Sequence, residues 1–363
     1  MLILIVAFVV SLGLTLVLVH SANAHAHLSH DHDLDGPQKF HAKPVPRIGG
    51  VGIFGGVVAA MAAVAWRGPE LAPLGLALLA CGLPAFAAGV TEDLTKAVSP
   101  LRRLLATALS ALLAVWLVDG VIERTAIPGL DWVVSFPLGA ALVTTFAVTG
   151  VAHAVNIIDG FNGLASMCGV LILLSLAYVA FQVDDVQIAW LALAGVGALL
   201  GFFVWNFPAG LIFLGDGGAY FVGFYIAEVA ILLLYRNPTV SPMFPLLLCI
   251  YPVFETLFSI YRRRFLRALP SSLPDGIHLH SLIYRRVMRW AVGNRSARAL
   301  TRRNSMTSPY LWMLCMLAAV PAVLFWDNTA VLAVMIVLFA FTYVGLYWRI
   351  VRFRSPRWMV FRR

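Results

Sequence analysis

Long apolar stretches alternate with short polar ones along the whole chain. Crossing about 30 Å of hydrocarbon takes roughly 20 helical residues. Eleven runs approach that length, bounded by Leu2–Val19, Ile48–Trp66, Leu71–Val90, Leu104–Val118, Val133–Val155, Leu164–Phe181, Ile188–Trp205, Ala219–Leu234, Met243–Tyr261, Leu311–Phe325 and Thr329–Trp348. The pattern predicts an all-α polytopic membrane protein of about eleven transmembrane helices, a single integral membrane domain over residues 1–363. No repeat recurs at a fixed period. The first run ends in Ser21-Ala22-Asn23-Ala24-His25-Ala26, which resembles a signal-peptidase site. No basic segment precedes it, so it reads as a retained first helix.

Composition narrows the class. Hydrophobic residues make up 61 % of the chain and charged ones 12 %, against about 45–50 % and about 25 % in soluble domains. That excludes a soluble globular protein, and the 10 Trp, 10 Tyr and 23 Phe exclude a disordered one. The four Cys lie inside apolar runs without paired spacing, which excludes a disulfide scaffold. The net charge of +9 is distributed unevenly. With the N-terminus outside, 23 of the 26 Lys and Arg fall in the inner segments, leaving Arg67, Arg124 and Arg236 outside. By the positive-inside rule the N-terminus is predicted outside and the C-terminus cytoplasmic. The charge is thus mainly a topology signal, with attraction to anionic headgroups added. No basic motif interleaved with aromatics suggests nucleic acid.

The inner segments comprise a His-rich loop (20–47), the loop after the third span, two Gly-rich turns, a basic loop (262–308) and a basic tail (349–363). Five polar constellations fall there. His20, His25, His27, His30, His32 and His41 crowd the first; such clusters are either solvated or bind metal. Asp31-His32-Asp33-Leu34-Asp35-Gly36 opens like a calcium-binding EF-hand loop, but Ala42 stands where a bidentate Glu is required. Pro46-Arg47-Ile48-Gly49-Gly50 follows, with glycines that permit close backbone approach. Next come Glu92-Asp93 and Lys96, then Ser99-Pro100-Leu101-Arg102-Arg103: paired carboxylates suited to metal or base chemistry, beside cations for phosphate. Asn156, Asp159 and Asn162 share one face if their segment is helical. After Asn206, Gly215-Asp216-Gly217-Gly218 offers an oxygen ligand suited to Mg²⁺, with glycines expected to clear room for phosphate. His278 and His280 sit amid arginines, an arrangement suited to a diphosphate or nucleotide. The common theme is oxygen ligands for one divalent cation, ringed by basic residues: equipment for phosphoryl transfer, which relies on positioning and charge neutralisation. The membrane setting makes one substrate a lipid.

In order and spacing, Pro46-Arg47-Ile48-Gly49-Gly50, Glu92-Asp93, Asn156-Ile-Ile-Asp159-Gly160, Gly215-Asp216 and His278-Leu-His280 resemble the polyprenyl-phosphate N-acetylhexosamine-1-phosphate transferases (glycosyltransferase family 4). The match covers roughly residues 38 to 290. Eleven spans and a cytoplasmic C-terminus look more like the branch that initiates O-antigen or capsule-type glycans than the related peptidoglycan phospho-N-acetylmuramoyl-pentapeptide transferases.

The resemblance implies that a polyprenyl phosphate, undecaprenyl phosphate in bacteria, attacks the β-phosphorus of a UDP-N-acetyl sugar and releases UMP. The active site would lie on the cytoplasmic face of the bacterial inner membrane, with Mg²⁺ as cofactor and Mn²⁺ as a substitute. Asp216 and Asn156 would be the metal ligands. Asp93 with Glu92 would deprotonate or orient the lipid phosphate, and Asp159 would support the diphosphate–metal centre. His278 and His280 would contact the nucleotide-sugar phosphates; Lys96, Asn162, Asn206, Arg263 and Arg47 are further substrate-binding candidates. Glu255 stands before the Arg262-Arg263 pair without an assigned role. Three departures from the family's pattern mark the chain: Glu92 for Asp, Asn162 for a second Asp, and Ser281 for a third His. A single displacement is preferred to a phospho-aspartate intermediate, because the lipid phosphate is already largely ionised. A homodimer is a further expectation. The competing functions are a catalytically silent scaffold of glycan assembly and a metal-ion transporter. The latter would put its ligands at mid-membrane, whereas here only Glu228 and Glu255 fall within spans.

Overall fold

A computed structural model describes residues 1–22, 44–266, 276–288 and 296–353. Outside the described residues lie most of the His cluster (His25, His27, His30, His32 and His41), the EF-hand-like segment and the tail beyond Phe353.

The described residues are helical throughout: α1 (Leu2–His20), α2 (Gly50–Arg67), α3 (Ala72–Thr95), α4 (Pro100–Leu117), α5 (Pro128–Val134), α6 (Pro137–Ile158), α7 (Leu164–Gln182), α8 (Val186–Asn206), α9 (Gly215–Arg236), α10 (Met243–Leu248), α11 (Ile250–Tyr261), α12 (Leu279–Leu282), α13 (Ala297–Leu324) and α14 (Thr329–Val351). Among the described residues, ten elements are long and apolar enough to cross a membrane. They correspond to ten of the eleven predicted spans. The ninth, Met243–Tyr261, is instead broken at Cys249 into α10 and α11. Pro252 has no N–H to continue the ladder and its ring crowds the preceding turn. A π turn, Arg262–Leu266, then carries the chain on.

Helix α9 forms the axis, buried from Gly215 to Leu234. Helices α2, α3, α6, α7 and α8 pack around it, while outward faces carry Trp66, Trp116 and Phe146, each at least 79 % exposed. Side chains this large and apolar on an outer surface fit lipid rather than water.

Close packing at the start of α9 follows from its glycines. A Cβ on Gly50 of α2 would lie 2.3 Å from the Gly218 nitrogen, and one on Gly89 of α3 would lie 2.4 Å from the Gly217 nitrogen. The glycines expected to make room for phosphate therefore serve helix contact, the small-residue packing common in membranes. Gly215 has φ +76°, and a Cβ there would meet the Arg47 carbonyl oxygen at 1.8 Å. The segment before α2 runs beside the one before α9: Phe213 N–H donates to Pro46 O, Gly49 N–H to Phe213 O, and Gly50 N–H to Leu214 O. Arg47 is thus delivered to the end of the bundle where Asp216 begins α9.

Candidate active site

Two chain-distant carboxylates meet at that helix start, and a third responds to their charge. Asp93, in the last turn of α3 and 2 % exposed, accepts hydrogen bonds at Oδ1 from the Asp216 N–H and at Oδ2 from the Gly217 N–H, both at 2.9 Å. The first N–H groups of a helix lack intrahelical acceptors and attract anions; Asp93 takes two of them. Asp216 itself accepts from Asn156 Nδ2 at 3.0 Å and pairs with Arg103 Nη1 of α4. Arg47 Nη2 lies between the two carboxylates, 3.7 Å from Asp93 Oδ1 and 3.6 Å from Asp216 Oδ1.

Asp159 follows the end of α6 with φ −77° and ψ 57°. Burial, then the negative charges of Asp216 and Asp93, push its carboxyl up to about 8, against the pull of Arg47. The expected single helical face of Asn156, Asp159 and Asn162 does not form, because the helix stops at Ile158. Past the turn, Asn162 faces α13 instead: its N–H donates to Asn304 Oδ1 at 2.8 Å and its Nδ2 to Ser305 Oγ at 3.0 Å, while Ser308 Oγ donates to its carbonyl at 2.6 Å. Asn206 is likewise committed to backbone, accepting from the Gly163 N–H and donating to Ile212 O. These two amides brace the turn that carries Asp159 rather than join the carboxylates.

The paired acids divide similarly. Asp93 enters the cluster, whereas Glu92 Oε2 accepts from the Val98 N–H at 2.8 Å and closes the loop into α4. Lys96, in the left-handed conformation at the end of α3, is exposed.

The histidine motif is positioned by a residue whose role the sequence left open. Glu255, 1 % exposed on α11, lies 2.9 Å from His278 Nδ1 and accepts from the Leu279 N–H and from Tyr343 Oη at 2.7 Å. A carboxylate on Nδ1 fixes the orientation of the ring. Although residues two apart do not share a helical face, His278 is in extended conformation before α12, and its ring stacks on His280 at 5.0 Å. His280 in turn lies against Phe161, and a Cβ on Gly160 would come within 3.6 Å of its Nε2. The motif therefore covers the Asp159 turn. Arg262 ties this loop down, donating to Ile277 O and to Tyr347 Oη. Arg263, beside it in the π turn, is half-buried.

Arg103 stood among the basic residues of the second motif without being a site candidate. The signal that could have raised it is its helical face: Arg103, Thr107 and Ser110 lie on one side of α4, and the latter two are fully or almost fully buried. Thr107 Oγ1 reaches His153 Nε2 at 3.2 Å, and that ring packs on Tyr220, a second polar layer beneath the ion pair.

Similarity to known proteins agrees with this geometry. Residues 75–234 match the model of glycosyl transferase family 4. A Bacillus subtilis protein named as a probable undecaprenyl-phosphate N-acetylglucosaminyl 1-phosphate transferase is 31 % identical over 67 % of this chain and 66 % of its own length. The chain belongs to glycosyl transferase family 4. An undecaprenyl-phosphate α-N-acetylglucosaminyl 1-phosphate transferase of Thermotoga maritima is 27 % identical over 71 % of this chain and 75 % of its own. A phospho-N-acetylmuramoyl-pentapeptide-transferase of Geobacillus kaustophilus is 29 % identical over 54 % and 64 %. The first and third alignments thus span slightly less than two thirds of those relatives. The family-4 segment contains Asp93, Asn156, Asp159 and Asp216, while Arg47 precedes it and the Glu255–His278 pair follows it.

Proposed function

We propose that the protein transfers a sugar-1-phosphate, an N-acetylhexosamine-1-phosphate, from a UDP-sugar to undecaprenyl phosphate and releases UMP, as the first membrane step of a cell-surface glycan. The observation that carries this reading is the convergence of Asp93 and Asp216 with Asn156, Arg47 and Arg103 at one end of a membrane bundle. The names of the relatives supply the substrate classes. The basic bias of the loops supports a cytoplasmic location for that end, in a bacterial inner membrane.

Among the described residues no group of three or more His, Cys, Asp or Glu is arranged to hold a metal ion, so the donor set is small: the Asp216 carboxylate and the adjoining Asn156 amide, whose oxygens are hard. This chemistry fits Mg²⁺, which binds few protein carboxylates together with substrate phosphates. Asp216 and Asn156 would hold the ion, and it would supply charge neutralisation at the diphosphate. Arg47 and Arg103, now paired with carboxylates, are placed to exchange those partners for phosphate oxygens. Asp93, locked by two backbone N–H groups, can orient or deprotonate the attacking lipid phosphate. His278, its ring held by Glu255, is the candidate contact for the phosphates of the leaving nucleotide.

Mass analysis of the lipid fraction tests the proposal. Purified protein is incubated with undecaprenyl phosphate, Mg²⁺ and a panel of UDP-N-acetyl sugars. A polyprenyl-diphosphate sugar formed from one donor supports the reaction and names the sugar. A folded protein that forms none from any donor overturns it in favour of a silent scaffold.

A further inference from the structure

Outside the carboxylate cluster, a groove of about 450 Å³ opens between the segment after α8 and the first turns of α13. Its walls are apolar: Phe207, Pro208, Met306 and Pro309. Its rim carries Arg298 and Arg302, spaced i, i+4 so that both guanidinium groups stand on one helix face. Both arginines are exposed, and neither has an ion-pair or hydrogen-bond partner among the described residues.

The depth of the groove follows from the length of α13. Its 28 residues extend about 42 Å, longer than the roughly 30 Å of hydrocarbon. The apolar run predicted for this span starts only at Leu311. The first turns, with Arg298 and Arg302, therefore stand at headgroup depth, and Met306 and Pro309 lead into the hydrocarbon. Two cations above an apolar slot at the membrane boundary match a molecule with an anionic head and a hydrocarbon tail.

We propose that this groove is a binding site for an acidic phospholipid of the surrounding bilayer, its phosphate on Arg298 and Arg302 and an acyl chain along Phe207, Pro208 and Met306. The occupant is a bilayer lipid rather than the lipid acceptor, because the groove lies behind the Asp159 turn. Its lining residues Pro208 and Ser305 both receive the Asn162 side chain, on the face of the turn away from Asp216. The same hydrogen bonds give the bound lipid a route to the active site. A chain packed on Pro208 and Ser305 stiffens Asn162, and with it the turn that positions Asp159.

Native mass spectrometry of the full chain, with thermal melting in parallel, tests the site using dioleoyl phosphatidylglycerol and dioleoyl phosphatidylcholine. Phosphatidylglycerol is expected to be retained preferentially and to raise the melting temperature. An arginine near an anionic lipid is worth about fivefold in affinity, so Arg298→Gln with Arg302→Gln should weaken retention on the order of thirtyfold. Met306→Trp, which fills the slot and keeps the charge, should weaken it as well. Equal retention of the two lipids, or retention indifferent to both variants, overturns the site. Displacement of phosphatidylglycerol by equimolar undecaprenyl phosphate, in protein whose catalytic cluster carries Asp216→Asn, overturns the assignment to a bilayer lipid.

Discussion

Asp216 and Glu228 are both buried acids on α9, one in its first turn and one in its middle, and they live in opposite settings. Asp216 has Asn156, Arg103 and Arg47 around it, and its own N–H holds Asp93. Glu228 is 0 % exposed and has no hydrogen-bond partner at either oxygen among the described residues; Gly120 lies against its Oε2. The difference begins with helix geometry. A helix start has free N–H groups that can gather anions, whereas mid-helix N–H groups are consumed by the preceding turn. Sequence adds to this. Glycines at the start of α9 let α2 and α3 come close enough to bring Arg47 and Asp93, while the neighbours recorded for Glu228, Gly120 and Cys81, bring it no cation. Partnership, more than burial, distinguishes the two carboxylates.

The strongest way to break the comparison is to disarm the helix start. Asp93→Asn presents an amide N–H to one of two backbone N–H groups, and it should lower UMP release at least about a hundredfold, the lower range for a positioned base. Gly215→Ala attacks the scaffold of the same end. Its methyl group would have to share space with the Arg47 carbonyl at positive φ, so melting should show a loss of more than about 1–3 kcal/mol. Gly345→Ala, with nothing within 4 Å, should leave the melt unchanged.

Next in size is Glu255→Gln. Hydrogen bonds to charged groups are worth about 1.5–3 kcal/mol, so its loss should cost about ten- to a hundredfold in kcat/KM as the His278 ring loses the carboxylate that orients it. A decline in stability alone, with kcat/KM unmoved, would make Glu255 merely structural.

Asp159 is read out in the pH dependence of stability rather than in rate. Its folded-state value of about 8 exceeds the roughly 3.9 of an unfolded Asp. Between those values the folded state holds the extra proton, so stability should fall as pH rises from about 4 to about 8. Asp159→Asn should flatten that slope in metal-free melts; an unchanged slope would remove Asp159 from the charge cluster. The least effect is expected from Glu228→Gln, with UMP release within about twofold of wild type, since no partner is lost.

Much of this was legible in the sequence. Runs of apolar residues gave ten of the spans, because length and hydropathy decide membrane crossing. Asp93, Asn156, Asp159, Asp216 and Arg47 stood out because polar groups are costly in so apolar a chain. What escaped was set by tertiary geometry. Asn162 and Asn206 carry the same polar signal as Asn156, and only the stop of α6 at Ile158 turns Asn162 toward α13. The glycines after Asp216 read as room for phosphate until Gly50 and Gly89 were seen facing them. Glu255 and His278 are joined across a loop, a pairing no local periodicity encodes.

The most direct test of the central claim is UMP release by wild type and Asp216→Asn, side by side, in one detergent with UDP-N-acetylglucosamine, undecaprenyl phosphate and Mg²⁺, and with lipid or metal omitted in turn. UMP from the wild type alone, requiring both lipid and metal, is the predicted result, provided that donor is the one identified in the lipid analysis. If Asp216→Asn, folded to the same melting temperature, released UMP at the wild-type rate, the carboxylate cluster at the start of α9 would not be the catalytic centre.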